Sequence, residues 1–181
     1  IRCEGEVLQD KQAIYLMLHK PAGVVSATVD EHHRTVIDLI DHPDKHSLHI
    51  VGRLDLNSSG LVLLTNDSRW SRSLMEPGRD VAKVYQVTLG RVIEPECIEA
   101  FAAGMYFPYE DLTTRPAVLE RVSDTEAIVT LVEGRYHQIK RMFGRFRNPV
   151  LALHRVSVGG IMLDPGLASG HYRHLYPAEI I

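Results

Sequence analysis

The sequence predicts an α+β domain with mostly antiparallel strand pairing. Short apolar runs of strand length recur along the chain, a few helical patterns interrupt them irregularly, and no segment repeats. At 181 residues, 45% hydrophobic and 24% charged, the chain has an ordinary globular composition and room for one sizeable core. A disordered chain, a coiled coil and a collagen-like polymer are excluded. No run approaches the roughly 20 apolar residues that span a bilayer. The polar, acidic residues 1–10 cannot form the apolar core of a signal peptide.

Residues 1–12 carry no periodicity and read as a tail or linker remnant in a chain that opens on Ile1. Residues 13–181 make the domain, with a lobe division placed near residues 77–80. The apolar run 13–18 is a strand, ended by the turn-forming His19-Lys20-Pro21-Ala22-Gly23. Residues 24–28 read as a second short strand. Thr35 caps a short helix through Ile40, stopped by His42-Pro43. Runs 48–51 and 61–65 have strand length, and Asn66-Asp67 then turns the chain into a helix over 68–75, ended by Pro77-Gly78. Over 83–89, Tyr85, Val87 and Leu89 share one face at a period of two. Glu94-Pro95-Glu96 starts a helix with proline in its first turn and Gly104 just past its end. Residues 116–122 and 127–132 pair across a polar turn. Ile139, Met142, Phe143 and Phe146 then mark the clearest helix, at i, i+3, i+4 and i+7. A strand over 150–158, the Gly159-Gly160 turn and a short strand over 161–163 complete the pattern.

Cysteine and histidine usage narrows the chemistry. Cys3 and Cys97 lie far apart in sequence with no CxxC pair, as two free thiols in a reducing cytosol would. The ten histidines are scattered without an HExxH pattern, which argues against a metal site. The net charge of −3 counts, taken alone, against a nucleic-acid partner. Its distribution reverses that inference. Between Glu133 and Arg155 stand six Lys or Arg and one acid, a local balance of +5, so the remaining residues carry −8.

Three segments could carry chemistry. The polar loop Gly52-Arg53-Leu54-Asp55-Leu56-Asn57-Ser58-Ser59-Gly60, between two apolar runs, can present Asp55 at the mouth of a cleft with Arg53 two residues away; a plain solvated turn is the alternative. Its glycines do not form a phosphate-cradling GxxxxGK[ST] loop. In Lys83-Val84-Tyr85, the ring can support a base while the cation holds a phosphate, or it can simply fill the core. In the third segment, 133–142, the helix keeps its apolar stripe inward and turns Lys140, Arg141, Arg145 and Arg147 outward as a one-signed face.

In this order and spacing, the segments resemble the RsuA branch of the RsuA/RluA superfamily of pseudouridine synthases. The matching text is His19-Lys20-Pro21-Ala22-Gly23, Gly52-Arg53-Leu54-Asp55 with Ser59-Gly60-Leu61, Lys83-Val84-Tyr85, Glu133-Gly134-Arg135-Tyr136-His137-Gln138-Ile139-Lys140-Arg141-Met142, and His154-Arg155 through Gly159-Gly160-Ile161 to Asp164. The resemblance covers about residues 15–176. It implies a catalytic α+β fold with a long, mixed, mostly antiparallel sheet, flanking helices and a central RNA cleft. It implies Asp55 as the catalytic aspartate, Tyr85 against the target base, Lys140 as the cation paired with Asp55, and Arg53 as further support. Lys20, Lys83, Arg135, His137, Gln138 and Arg141 are then RNA contacts. The implied reaction converts uridine in structured RNA to its C-glycoside isomer without metal or cofactor. The implied setting is cytoplasmic, with a monomer acting on structured small-subunit rRNA and no membrane. Where this chain has Lys140, many superfamily members have Arg, and the small S4 RNA-binding domain usual ahead of the RsuA catalytic domain does not occur in the sequence.

The chemistry of the residues agrees with this implication. Breaking the C1′–N1 bond calls for an ionised carboxylate that attacks C1′ or removes a sugar proton, and an adjacent cation favours that ionised form. The base must leave its stack to reach a protein carboxylate. Three alternatives compete: a non-catalytic RNA-binding or ribosome-assembly module, a glycosidase or nucleoside hydrolase, and the same isomerisation of a large-subunit uridine. A glycosidase would require a second carboxylate in the motif set.

Overall fold

The computed structural model describes residues 12–135 and 137–180. Most of the tail at 1–12, together with Cys3 and Tyr136, therefore lies outside the described residues. The described residues form eleven strands: β1 Tyr15–Lys20, β2 His49–Val51, β3 Ser59–Thr65, β4 Lys83–Leu89, β5 Tyr106–Phe107, β6 Leu112–Thr113, β7 Val118–Arg121, β8 Glu126–Leu131, β9 Val150–Val158, β10 Ile161–Met162 and β11 Tyr172–His174. The α-helices are α1 Ser68–Met75, α2 Pro95–Ala103, α3 Gln138–Gly144 and α4 Pro177–Ile180.

Nine strands join one sheet in the order β11-β1-β3-β9-β4-β8-β7, with β10 on β9 and β2 on β3. Every pairing is antiparallel except β3 with β9, where Ser59 stands opposite His154 and Gly60 opposite Arg155. The mixed, mostly antiparallel sheet expected from the sequence is thus present, with its single parallel seam at the centre. Gly60 is required at that seam: its φ is +115°, and a Cβ there would run into the backbone of Arg155.

Alternation along β1 and β3 divides the core between the two faces of the sheet. Leu16, Leu18, Val62 and Leu64 join the larger apolar cluster, with Phe101 of α2 and Ile139, Met142 and Phe143 of α3. Met17, Leu61 and Leu63 join the smaller one, against which Trp70 and Leu74 of α1 pack. The helix starts follow the sequence reading. Asp67 caps α1 by accepting hydrogen bonds from the Arg69 and Trp70 amides at 3.0 and 3.1 Å. Pro95 opens α2, and Gly104 follows its end at φ +89°.

Two expectations are corrected. Residues 24–28 form no strand; only an isolated bridge joins Val25 to Thr35. The helix over 35–40 shrinks to a 3₁₀ turn at Ile37–Leu39, because Thr35 and Asp38 cap each other reciprocally and His42-Pro43 follows too soon for a longer helix. The β5–β6 hairpin, β11 and α4 carry no sequence signal that identified them.

Candidate active site

The loop between β2 and β3 carries Asp55, and two buried cations hold it from beneath. Arg155 of β9 is 1% exposed. Its Nη2 donates to the carbonyls of Gly52 and Leu61 at 2.7 and 2.8 Å, and its Nε donates to Leu61 at 3.0 Å, so one guanidinium ties both ends of the loop. Lys20, at the end of β1, is fully buried. Its Nζ donates to the carbonyls of Pro21, Leu56 and Ser58 at 2.9, 3.2 and 2.6 Å, fixing the middle of the loop. Within the loop, the Ser58 amide donates to the Asp55 carbonyl at 3.0 Å, and the Leu54 amide donates to Ser26 Oγ at 3.1 Å. Burial pushes the Lys20 ammonium down to about 8, against the opposing pull of the Asp55 charge.

This arrangement corrects the placement of Lys20. An ammonium without exposed surface, whose three donors meet three carbonyls, has nothing to offer a phosphate; its position in a Lys-Pro turn concealed its burial. Asp55 itself remains open to solvent across the loop. The group that faces it is His137, whose Nε2 lies 3.4 Å from Asp55 Oδ2. His137 caps α3 with φ +47°, a left-handed conformation that costs a non-glycine residue about 1–2 kcal/mol. That cost is borne at the residue that delivers an imidazole to the carboxylate.

Lys140 makes no ion pair with Asp55 in this structure, so the expected partnership is corrected as well. Lys140 lines an open hollow of about 430 Å³ with Gly144, Arg147 and Asn148. Gln138 is also corrected as an RNA contact. It is buried, donates to Glu133 Oε2 at 3.0 Å, and accepts from the Arg135 amide at 3.3 Å, so it braces the start of α3 from within.

Tyr85 is 8% exposed and shares the large apolar cluster with Leu54, the neighbour of Asp55. On β4 it stands in register with Arg155 on one side and Val129 on the other. Its ring is therefore mostly core, while its hydroxyl makes no hydrogen bond within the described residues. Lys83, two residues along the same face, is half-buried. Burial and the Arg155 charge lower its pKa, and Glu133 opposes them. Arg53 is exposed beside Asp55 and makes no ion pair among the described residues. Arg135 is exposed but its Nε donates to Glu133 Oε1 at 2.8 Å. Arg141 pairs with Glu110 and lies over the Phe107 ring.

Sequence reasoning passed over two features. Arg155 appeared only as part of a matching string, because its role depends on the long-range β3–β9 register. Beside that seam, Ser59 Oγ and His154 Nδ1 are 2.8 Å apart, with the His19 ring 5.5 Å from that of His154. Burial, then the nearby His19, lowers the His154 pKa. Among the described residues, no three His, Cys, Asp or Glu side chains converge to hold a metal ion, and no helix is long and apolar enough to cross a membrane.

Chemically, the site offers one solvent-open carboxylate on a loop fixed by buried cations, with an imidazole at its edge. Comparison with known proteins places this geometry in a family. Residues 14–144 match the RNA pseudouridylate synthase family. The chain is 54% identical over 170 residues to ribosomal small subunit pseudouridine synthase A of Pseudomonas aeruginosa, covering 94% of this chain and 74% of that one. It is 45% identical over 166 residues to the Escherichia coli protein of the same name, covering 92% and 72%. The fold superposes on a crystal structure of a pseudouridylate synthase with a TM-score of 0.89 at 40% identity, over 93% of this chain and 73% of that one. The Nop10–Cbf5 complex of an archaeal box H/ACA sRNP shares the fold alone, with a TM-score of 0.57 at 17% identity over 87% of this chain and 51% of that one. By the match over residues 14–144 and the identity it shares with both relatives, this chain belongs to the RNA pseudouridylate synthase family and is a pseudouridine synthase.

Proposed function

We propose that the protein isomerises a uridine of small-subunit ribosomal RNA, by resemblance uridine-516, to pseudouridine, and that Asp55 acts on the ribose of a flipped-out nucleotide. The single observation that supports Asp55 is its setting: a solvent-open carboxylate on a loop whose carbonyls are held by Lys20 and Arg155, with His137 Nε2 at 3.4 Å. The names of the two relatives support the small-subunit target.

The carboxylate starts the reaction at the sugar, attacking C1′ or taking a sugar proton. The C1′–N1 bond breaks, and the uracil turns within the site. C5 then bonds to C1′ as the carboxylate leaves that carbon or the abstracted proton returns to the sugar; the C5 proton is lost to solvent and N1 takes one up, so the product is an isomer of the substrate. Lys20 and Arg155 hold the loop that presents Asp55 to the sugar, and the His137 imidazole lies beside its carboxylate. The Tyr85 edge and Lys83 lie where a base and its phosphate would rest, and Arg53, Arg135 and Arg141 extend the positive margin of the cleft. In this reading the protein acts as a cytoplasmic monomer on structured RNA.

Pseudouridine mapping of both ribosomal RNAs from cells lacking the gene tests the target. Loss of one small-subunit site supports it; loss of a large-subunit site instead overturns it. Complementation with Asp55→Asn tests the mechanism, because restored modification at the wild-type rate would remove Asp55 from its role.

A further inference from the structure

The β5–β6 hairpin is absorbed by none of the catalytic motifs, yet it is fastened to the helix that approaches Asp55. His137, Arg141 and Arg145 recur every fourth residue, so they stand along one side of α3, about 6 Å apart per step. Arg141 and Arg145 both lie over the ring of Phe107, at 4.7 and 5.1 Å from its centroid. Arg145 Nη1 also donates to the Tyr106 carbonyl at 2.6 Å, and Glu110 pairs with Arg141. The hairpin is thus held as a rigid shelf beside the cationic row. Its turn closes through the Asp111 amide on the Pro108 carbonyl at 3.2 Å, and Tyr106 Oη donates to Asp111 at 2.9 Å.

At the tip of this shelf Tyr109 is 98% exposed, so its ring contributes nothing to the core. An open hollow of about 410 Å³ lies between it and the helix, lined by Phe107, Pro108, Tyr109, Glu110 and Arg141. No carboxylate among the described residues pairs with Arg145, so its charge is uncompensated. A bare aromatic face beside guanidinium groups matches the chemistry of an unpaired nucleotide: the ring stacks a base and the cations hold its phosphate. The row leads from this hollow back along α3 to His137 and Asp55, so a strand occupying both would be continuous.

We infer that the β5–β6 hairpin and the outer side of α3 form a second RNA subsite, in which an unpaired nucleotide flanking the target uridine stacks on Tyr109 while its phosphate takes Arg145 and displaces Glu110 from Arg141. This subsite rests on the functional reading above and extends it away from the reacting base. Glu110 pairs with Arg141 until a phosphate replaces it.

The test compares wild type, Tyr109→Ala and Tyr109→Phe on a full-length small-subunit rRNA transcript with excess tRNA competitor, reading Kd by filter binding and pseudouridine formation in the same samples. Tyr109→Ala raises Kd about tenfold and leaves the rate at saturating RNA unchanged, while Tyr109→Phe, which still stacks, binds as wild type does. Tyr109 is exposed, so thermal melting of all three coincides. A wild-type Kd for Tyr109→Ala overturns the subsite, as does an equal loss for Tyr109→Phe. Absence of pseudouridine in the wild-type samples is the separate failure of the functional reading, and the Kd comparison still decides the subsite.

Discussion

Lys20 and Arg155 beneath the Asp55 loop and Arg141 and Arg145 on α3 are residues of the same sign in opposite settings. The first two have almost no exposed surface, and every donor named for them ends on a backbone carbonyl. The second two reach solvent and lie across one aromatic ring, and of the pair only Arg141 meets a carboxylate, that of Glu110. A buried cation bonded to carbonyls fixes a backbone, because leaving those carbonyls without partners in the interior is costly. An exposed cation has little energetic tie to its neighbours and stays available to a polyanion. The net charge of the chain cannot distinguish these two uses. The −3 of the whole sequence averages an acidic remainder with two cations spent on structure and others facing outward.

Removing a buried member tests this contrast most severely. Arg155→Met strips the Gly52 and Leu61 carbonyls of their shared donor, at a cost of about 1–3 kcal/mol for each group left unsatisfied. Thermal unfolding should show a fall of at least several degrees, since 1 kcal/mol moves Tm by about 2–4 °C in a protein of this size. Pseudouridine formation should be lost with it. An unchanged Tm would mean that the loop does not depend on Arg155.

Lys20→Met acts on the middle of the same loop, where three carbonyls lose a charged donor, and a hydrogen bond to a charged group contributes about 1.5–3 kcal/mol net. The rate at saturating RNA should fall with little change in Kd. Lys20 also gives a pH signature. Its folded pKa of about 8 lies below the unfolded value of 10.5, so between these limits the unfolded chain binds more protons and stability from this group rises with pH. Activity should move the other way, because the neutral amine has only two N–H donors for three carbonyls and no charge beside Asp55. A wild-type rate that falls above about pH 8 while Tm holds, with the fall absent from Lys20→Met, would separate loop positioning from global stability. A rate and Tm that fall together would not.

How far the site is legible in the sequence follows the same division. Asp55, the capped α1 and the apolar stripe of α3 are local signals: a polar loop between apolar runs, an Asp ahead of a helix, a 3.6-residue period. The burial of Lys20 and the reach of Arg155 arise from strands brought together across the chain, and a lysine before a proline gives no local sign of being inside. His137 meets Asp55 only because α3 packs on the sheet, which no helical period signals, and the pairing of Lys140 with Asp55 rests on resemblance alone. The β5–β6 hairpin was missed for a different reason. Its strands are two residues each and its turn holds Pro108 and Asp111 without alternation, too little for a period to register.

The exposed side of the comparison predicts small effects on stability and larger ones on RNA. Arg141→Gln removes an ion pair at the surface, worth about 0–1 kcal/mol, and one of the two guanidinium contacts with Phe107, so Tm should stay within about 4 °C of wild type. RNA affinity should drop, and the slope of log K against log salt should lessen by about one charge. Equal salt slopes would take Arg141 out of contact with phosphate.

The smallest expected effect is also the most discriminating, because its sign differs between the two accounts of Glu110. If Glu110 merely pins the hairpin to α3, Glu110→Gln loosens the shelf and weakens RNA binding. If it is a placeholder that a phosphate displaces, the same substitution removes a competitor for Arg141 and a negative charge from the path of the strand. Arg145 still holds the Tyr106 carbonyl and both guanidinium groups still lie over Phe107, so the hairpin keeps its place without the ion pair. Affinity for rRNA should therefore rise by about twofold to threefold, within the modest energy of an exposed ion pair. The gain should shrink as salt rises, since screening weakens the competitor and the phosphate alike. A fall in affinity at low salt would make Glu110 a structural strut and leave Arg141 committed to the fold, on the same side of the comparison as Lys20 and Arg155.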